Sequence, residues 1–150
     1  MSWGKVTERI DRAIICGQGP SWRQVDLAQL GRVQSMGVGL VAVNGAIDSV
    51  PFADYWFTLD MSPENQRRVM EPASGVQYYA AVPPEWERRL RGLEHLTCLK
   101  RVVKEERRRG PFRLRVLYQI VGGISEDPGE IYTGNSAFGA LGLVYLKGAR

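Results

Sequence analysis

Short apolar runs alternate along the chain with polar stretches of helical spacing. Residues 12–16, Arg-Ala-Ile-Ile-Cys, form an apolar, β-branched run that ends at a glycine, the pattern of a buried strand. Gly17, Gln18, Gly19, Pro20 and Ser21 follow as a turn. Residues 22–36 carry Val25, Leu27, Leu30 and Val33, an imperfect helical stripe that stops near Gly37. A second buried strand is expected over 38–43 and a third over 52–60, closing on Asp60. Ser62-Pro63-Glu64-Asn65 suits a helix start: Ser caps, Pro takes the first position, and Glu64 favours the positive end. Residues 76–82 read as a fourth strand, broken by Pro83-Pro84 and followed by a short charged helix over 85–91. A fifth strand is expected over 96–103. Residues 112–121 begin by alternating Phe112, Leu114 and Val116 with Arg113 and Arg115, so one face is wet. A helix over 135–147, with Leu141, Val144 and Tyr145 at helical spacing, ends the pattern.

Strands separated by helices or turns predict an α/β chain with a mostly parallel sheet and covering helices. The length of 150 residues fits one domain spanning 1–150, and an apolar share of 44% with 24% charged is ordinary globular usage. In parallel sheets ligands sit at the carboxyl ends of the strands. Residues 17–21, Asn44 and Asp60 fall there, and 133–136 precede the last helix. Their convergence on one anion pocket is the central expectation.

The loop at 17–21 carries the sharpest chemistry. Gly17 and Gly19 allow close backbone approach, Pro20 stiffens the start of the next segment, and Ser21 can cap a helix or donate to an oxygen. Such a strand-to-helix turn suits a phosphate. It lacks the Gly-Lys-Ser/Thr of a Walker loop, and Trp22 stands where a dinucleotide fingerprint has its third glycine. The same residues also suit a plain turn. At the second site, Thr133, Gly134, Asn135 and Ser136 supply donors and acceptors at a helix start, and Gly139, Ala140 and Gly142 permit close packing. An N-cap with tight packing accounts for them equally.

Taken in order, residues 14–21, 41–44 (Val-Ala-Val-Asn), 53–60 (Ala-Asp-Tyr-Trp-Phe-Thr-Leu-Asp) and 133–136 (Thr-Gly-Asn-Ser) resemble a Rossmann-like superfamily. It includes bacterial lipooligosaccharide sialyltransferases, 6-hydroxymethylpterin diphosphokinase-like proteins and many uncharacterised phage and bacterial proteins. The resemblance implies an α/β Rossmann-like, mostly parallel sheet with helices on both faces, here with a basic hairpin or edge strand added. It implies that Gly17, Gln18, Gly19, Pro20, Ser21 and Asn44 hold the phosphate and ribose of a nucleotide, of cytidine type by analogy with the sialyltransferases. Thr133, Gly134, Asn135 and Ser136 would face the same nucleotide. Asp60 would lie near the phosphates and a magnesium ion. The chain departs from the pattern: Gln18 replaces the usual asparagine, and His95 is not at the place of the family's histidine base. Residues 61–130 carry no match, and no catalytic residue is named.

Charge and cysteine usage bound the remaining readings. The net charge is +4, yet residues 100–115 hold eight Lys and Arg against two Glu, so the rest of the chain is slightly acidic. Lys104, Arg107, Arg108 and Arg109 form an anion- or nucleic-acid-binding candidate, or a solvated hairpin edge. Two cysteines and one histidine make neither a disulfide framework nor a zinc set, and both Cys16 and Cys98 lie in apolar runs as expected of buried free thiols. Residues 1–11 lack the apolar core of a secretory leader, and no run reaches the roughly 18 apolar residues of a membrane span. The expectation is a soluble cytoplasmic protein, with self-association left open. Three functions stay open. The first is a nucleotide or phosphorylated-metabolite binder of transferase type, moving a glycosyl or phosphoryl group. The second is a non-catalytic phage or bacterial binder that sequesters a nucleotide or serves as an interaction module. The third is a nucleic-acid binder acting through 100–115.

Overall fold

The computed structural model describes residues 9–109 and 114–150, with side chains described outside 103–120. Its strands are β1 (Ala13–Cys16), β2 (Gly39–Val43), β3 (Tyr55–Thr58), β4 (Gln77–Val82), β5 (Leu96–Arg109), β6 (Leu114–Ile120) and β7 (Glu130–Tyr132). Strands β1 to β5 lie side by side in chain order, all parallel, and β7 pairs in parallel with β5. Strand β6 is antiparallel to β5 and forms the hairpin. The helices are α1 (Leu27–Ser35), α2 (Pro63–Met70), α3 (Pro84–Leu90) and α4 (Ser136–Leu146).

Side-chain alternation along each strand gives the sheet two apolar faces. One face, with Leu40, Ala42, Trp56, Tyr78, Ala80 and Val82, packs on Leu30 of α1, Val69 of α2, and Trp86 and Leu90 of α3. The other, with Val41, Val43, Phe57, Tyr79, Leu99 and Ile131, packs on Ala140, Leu143 and Val144 of α4. The sequential strand order explains this division. Crossovers that all step the same way and share one hand place their helices on one face. Helix α4 leaves β7 at the far side of the sheet and returns across the other. The result is an α/β Rossmann-like architecture with helices on both faces.

Residues 22–36 are not one helix. A short 3-10 helix spans Pro20–Gln24, and α1 begins afresh at Leu27 because the Asp26 carboxylate accepts from the N–H groups of Ala28 (2.9 Å) and Gln29 (3.1 Å). Strand β3 is shorter than the apolar run suggests. The Asp54 carboxylate accepts from Leu40 N (2.8 Å) and Gln34 Nε2 (2.9 Å), which turns 51–54 into a corner at the amino edge of the sheet. A second 3-10 helix, Asn44–Asp48, follows β2. Strand β5 runs on to Arg109, and the three-residue β7 has no sequence signature of its own. The strand expected from Phe112 begins at Leu114; residues 110–113 lie outside the described set.

Two buried details fix α4. A Cβ on Gly139 would lie 2.7 Å from the Phe57 ring, so only glycine lets the helix approach β3 this closely. Lys147 is 1% exposed, donates to Tyr79 Oη at 3.1 Å, and lies 4.1 Å from the centre of the Tyr55 ring, a cation held over aromatic faces. Among the described residues no helix is long and apolar enough to cross a membrane.

Candidate functional site

The parallel strands bring 17–21, Asn44 and Asp60 to one edge of the sheet, just past the carboxyl ends of β1, β2 and β3. The turn at 17–21 is tied down by its own tryptophan: Trp22 Nε1 donates to the Gly17 carbonyl at 2.6 Å while the indole packs on the core. Gln18 reaches across to the second 3-10 helix, where its Oε1 accepts from the Gly45 amide at 3.3 Å. A cleft of about 520 Å³ opens between the two segments, lined by Gln18, Gly19, Pro20, Trp22, Arg23, Gly45, Asp48 and Ser49 among others. That volume is within the range of small-ligand sites. Arg23 supplies positive charge there. Among the described residues the Ser21 hydroxyl makes no hydrogen bond with the protein.

Behind the cleft lies a buried polar network. Asn44 has φ +52°, a left-handed conformation unusual for a residue with a Cβ. It is held from several sides: Trp56 Nε1 donates to its carbonyl (2.8 Å), and its Oδ1 accepts from Thr58 Oγ1 (2.7 Å) and Asn65 Nδ2 (3.3 Å). Thr58 and Asn65 are almost wholly buried. Thr58 Oγ1 also lies 2.8 Å from the Asp60 carbonyl and accepts from the Asp60 amide (3.0 Å), and Asn65 Nδ2 donates to the same carbonyl (2.9 Å). Arg68 closes the set. It donates to Asn65 Oδ1 (2.9 Å) and grips both Asp48 oxygens, at 2.6 and 3.2 Å. That hydrogen-bonded pairing holds the Asp48 carboxyl below its ordinary pKa against the opposing effect of burial. The network therefore fixes the backbone at 44–48, which is one wall of the cleft.

Residues 133–136 meet the sheet elsewhere. They follow β7, and Thr133 and Asn135 line a second cleft of about 710 Å³ with Ile15, Gly122, Gly123, Ala137, Phe138 and Leu141, on the α4 side of the sheet. Here the side chains serve the chain itself. Asn135 Oδ1 caps α4 by accepting from Phe138 N (3.1 Å), and Thr133 Oγ1 accepts from Asn135 N (3.1 Å). Thr133 has φ +145° and is buried, and its carbonyl accepts from Arg101 Nε (3.2 Å). Gly134 is exposed and Ser136 half-buried. Among the described residues no hydrogen bond joins 133–136 to 17–21 or Asn44. Gln18, Gly19 and Pro20 line one cleft, and Thr133 and Asn135 line another together with Ile15 of β1.

Asp60 is exposed at the carboxyl end of β3. Asp54 is at the opposite end of that strand and already engaged, and Asp48 is gripped by Arg68. Among the described residues no three acidic, His or Cys side chains gather as a metal cage. Magnesium is commonly held by one or two carboxylates with phosphate oxygens and water, so Asp60 fits the part of a single protein ligand beside a phosphorylated molecule. His95 is structural: Nε2 lies 2.8 Å from the Val69 carbonyl, and the ring stacks edge-on against Tyr78. Cys16 and Cys98 are free, and burial pushes both thiols up to about 11. Of the basic segment, Lys100 pairs with Glu130 at 2.8 Å and Arg101 ties down Thr133. The side chains of Lys104, Arg107, Arg108 and Arg109 lie outside the described residues.

Sequence reasoning missed Thr58, Asn65, Arg68 and the cleft residues Arg23 and Asp48. One signal was present: Thr58 is a polar position inside the apolar run of β3, and a fully buried hydroxyl requires partners. In comparison with known proteins, no family model, no curated protein and no solved structure matches this chain.

Proposed function

We propose that the protein binds a nucleotide or another phosphorylated small molecule in the cleft between 17–23 and 44–49. One observation carries this reading. The Gly45 amide, held in place by the left-handed Asn44 before it, is met in the cleft by the side-chain oxygen of exposed Gln18 at 3.3 Å. An acceptor oxygen on a swinging side chain is readily exchanged for a phosphate oxygen. Gly19 and Arg23 border the same space and offer close approach and a positive charge, and Ser21 of the same turn carries a hydroxyl donor. A position past the carboxyl ends of parallel strands supports the assignment, as does the resemblance of 14–21 and 41–44 to the sialyltransferase-like superfamily, which favours a cytidine nucleotide. Magnesium would join through Asp60 and the ligand's phosphates.

Holding the ligand unchanged is the form of this function that the cleft chemistry favours. Asp48 is the one carboxylate among the described cleft residues, and Arg68 occupies both its oxygens, so it is poorly placed to take a proton. Glycosyl or phosphoryl transfer is the rival form. It would rest on positioning and on stabilisation of charge by loop amides.

A thermal-shift screen of nucleotides, nucleotide sugars and pterins tests both forms. Binding raises the melting temperature in proportion to ligand concentration over Kd. Gly19→Val, which sets a branched side chain at the cleft mouth, should abolish the shift while leaving the unliganded protein folded. Chromatography of the incubated ligand then separates the two forms, since only a transferase changes it. No shift with any ligand at about 1 mM, or a shift that survives Gly19→Val, contradicts the proposal.

A further inference from the structure

Strand β1 ends the sheet with an open edge. Among the described residues its one neighbour is β2. The Arg12 carbonyl accepts from the Gly39 amide at 2.9 Å, so backbone alternation turns Arg12, Ile14 and Cys16 toward β2 and Ala13 and Ile15 outward. The outward carbonyl of Asp11 is already taken by the Arg150 amide at 3.3 Å. The edge that can still pair is therefore short and centred on Ile14. Sheet edges usually carry a lysine or a proline against such pairing, and Ala13–Cys16 has neither.

The surface beside this edge is apolar too. Helix α4 holds no charged residue from Ser136 to Leu146. Ala140, Leu143 and Val144 face the sheet, yet Phe138, Leu141 and Tyr145, spaced at i, i+3 and i+7, are 44%, 39% and 44% exposed. A helix apolar on all sides belongs within a core or an interface. Two clefts, of about 590 and 710 Å³, run along this flank of α4 and share Ile15 and Leu141, so they adjoin as one groove beside β1.

A second β1 is self-complementary to this edge. Set antiparallel about a two-fold axis at Ile14, each outward Ala13 lies opposite the outward Ile15 of the other copy, and each such pair exchanges two N–H···O bonds. Ala13 and Ile15 both face the α4 side. The larger Ile15 of the second copy then falls beside the small Ala13, where the groove is lined by Leu141, Val144, Tyr145 and Ala149. Symmetry makes this fit twice. Ile14, on the α1 side, meets its own copy at the axis, in the pair whose side chains approach closest. A ladder this short is too small alone for a stable dimer, which buries about 800 Å² per partner, and the α4 stripe supplies further apolar area.

We infer that two copies of this chain associate by antiparallel pairing of their β1 strands, with the exposed stripe of α4 covering the joint. The inference is independent of the ligand cleft, which lies past the carboxyl end of β1.

The test is sedimentation velocity of the full chain from about 2 to 200 µM, with a monomer–dimer equilibrium of micromolar Kd expected. Ala13→Pro removes one outward amide and leaves the bonds to β2 intact; Leu141→Lys sets a charge in the groove. Each should weaken association at least about tenfold. Leu141 is part-exposed, so its variant keeps the test intact should Ala13→Pro fold poorly. Ile14→Cys places two thiols across the axis within reach of a disulfide, and mild oxidation should crosslink it far faster than Met70→Cys, which is 65% exposed on α2. Three results overturn the inference: a chain that stays monomeric at about 200 µM, which would leave the edge to an extended peptide of another protein; a dimer of unchanged affinity in Leu141→Lys; or an Ile14→Cys protein that crosslinks no faster than Met70→Cys.

Discussion

Two glycines on one helix should respond to the same substitution with opposite signs. Gly139 and Gly142 both lie within α4 and both are buried. Replacing a mid-helix glycine by alanine gains about 1 kcal/mol in backbone propensity at either position. At Gly142 the new methyl would meet only Ile131 Cδ1 at 3.6 Å, an ordinary contact, so that gain should be kept. At Gly139 it would fall 2.7 and 3.0 Å from two atoms of the Phe57 ring. Phe57 is fully buried between α4 and the sheet and has nowhere to swing. Overpacking of this kind costs about 1–3 kcal/mol. With about 2 kcal/mol for the clash, Gly139→Ala should lose roughly 1 kcal/mol and Gly142→Ala gain roughly 1. The two variants then differ by about 2 kcal/mol, or roughly 4–8 °C in Tm for a chain of this size. Urea unfolding of both measures it. A Gly139→Ala protein as stable as Gly142→Ala would refute the packing of α4 on β3, and with it the placement of 133–136.

Thr58→Val should destabilise by about 2 kcal/mol in urea unfolding, because the Asp60 amide and the Asn65 amide group both lose a buried acceptor; a loss under about 0.5 kcal/mol would contradict the network. Arg68→Gln should cost less than about 1 kcal/mol through the half-exposed Asp48 pair. Because Asp48 is held below its ordinary pKa when folded, the pair contributes above the ordinary carboxylate range. The gap between variant and wild type should therefore narrow as pH falls through the folded value, and urea midpoints from pH 7 to 3 read this directly. With thiols near 11, only about one in a thousand of Cys16 and Cys98 is thiolate at pH 8, so Ellman's reagent should label them slowly until urea is added.

What the sequence disclosed follows from how local each signal is. The strands 12–16, 38–43 and 76–82 and the Ser62 cap were legible because each is a contiguous run bounded by its own glycine, proline or capping residue. The helix over 22–36 was misread because its apolar stripe continues through Asp26, where a cap divides it. Strand β3 was read too long because Asp54 is recruited by Leu40, a partner 14 residues away. Strand β7 carries too few residues for any period. The placement of Asn44 and Asp60 at one edge was legible from parallel topology alone. Which cleft 133–136 would line was not, since it depends on where β7 joins the sheet and how α4 crosses it. Nor was the network at Thr58 and Asn65, whose partners come from three elements.

The most direct test of the ligand cleft is a backbone-amide NMR titration with a cytidine nucleotide. The Gly45 signal should move furthest as Gln18 gives way to a phosphate oxygen, with Gln18, Gly19, Ser21, Asp48 and Ser49 following. Unmoved signals at about 1 mM nucleotide, or changes restricted to 122–123 and 133–138, would contradict the account.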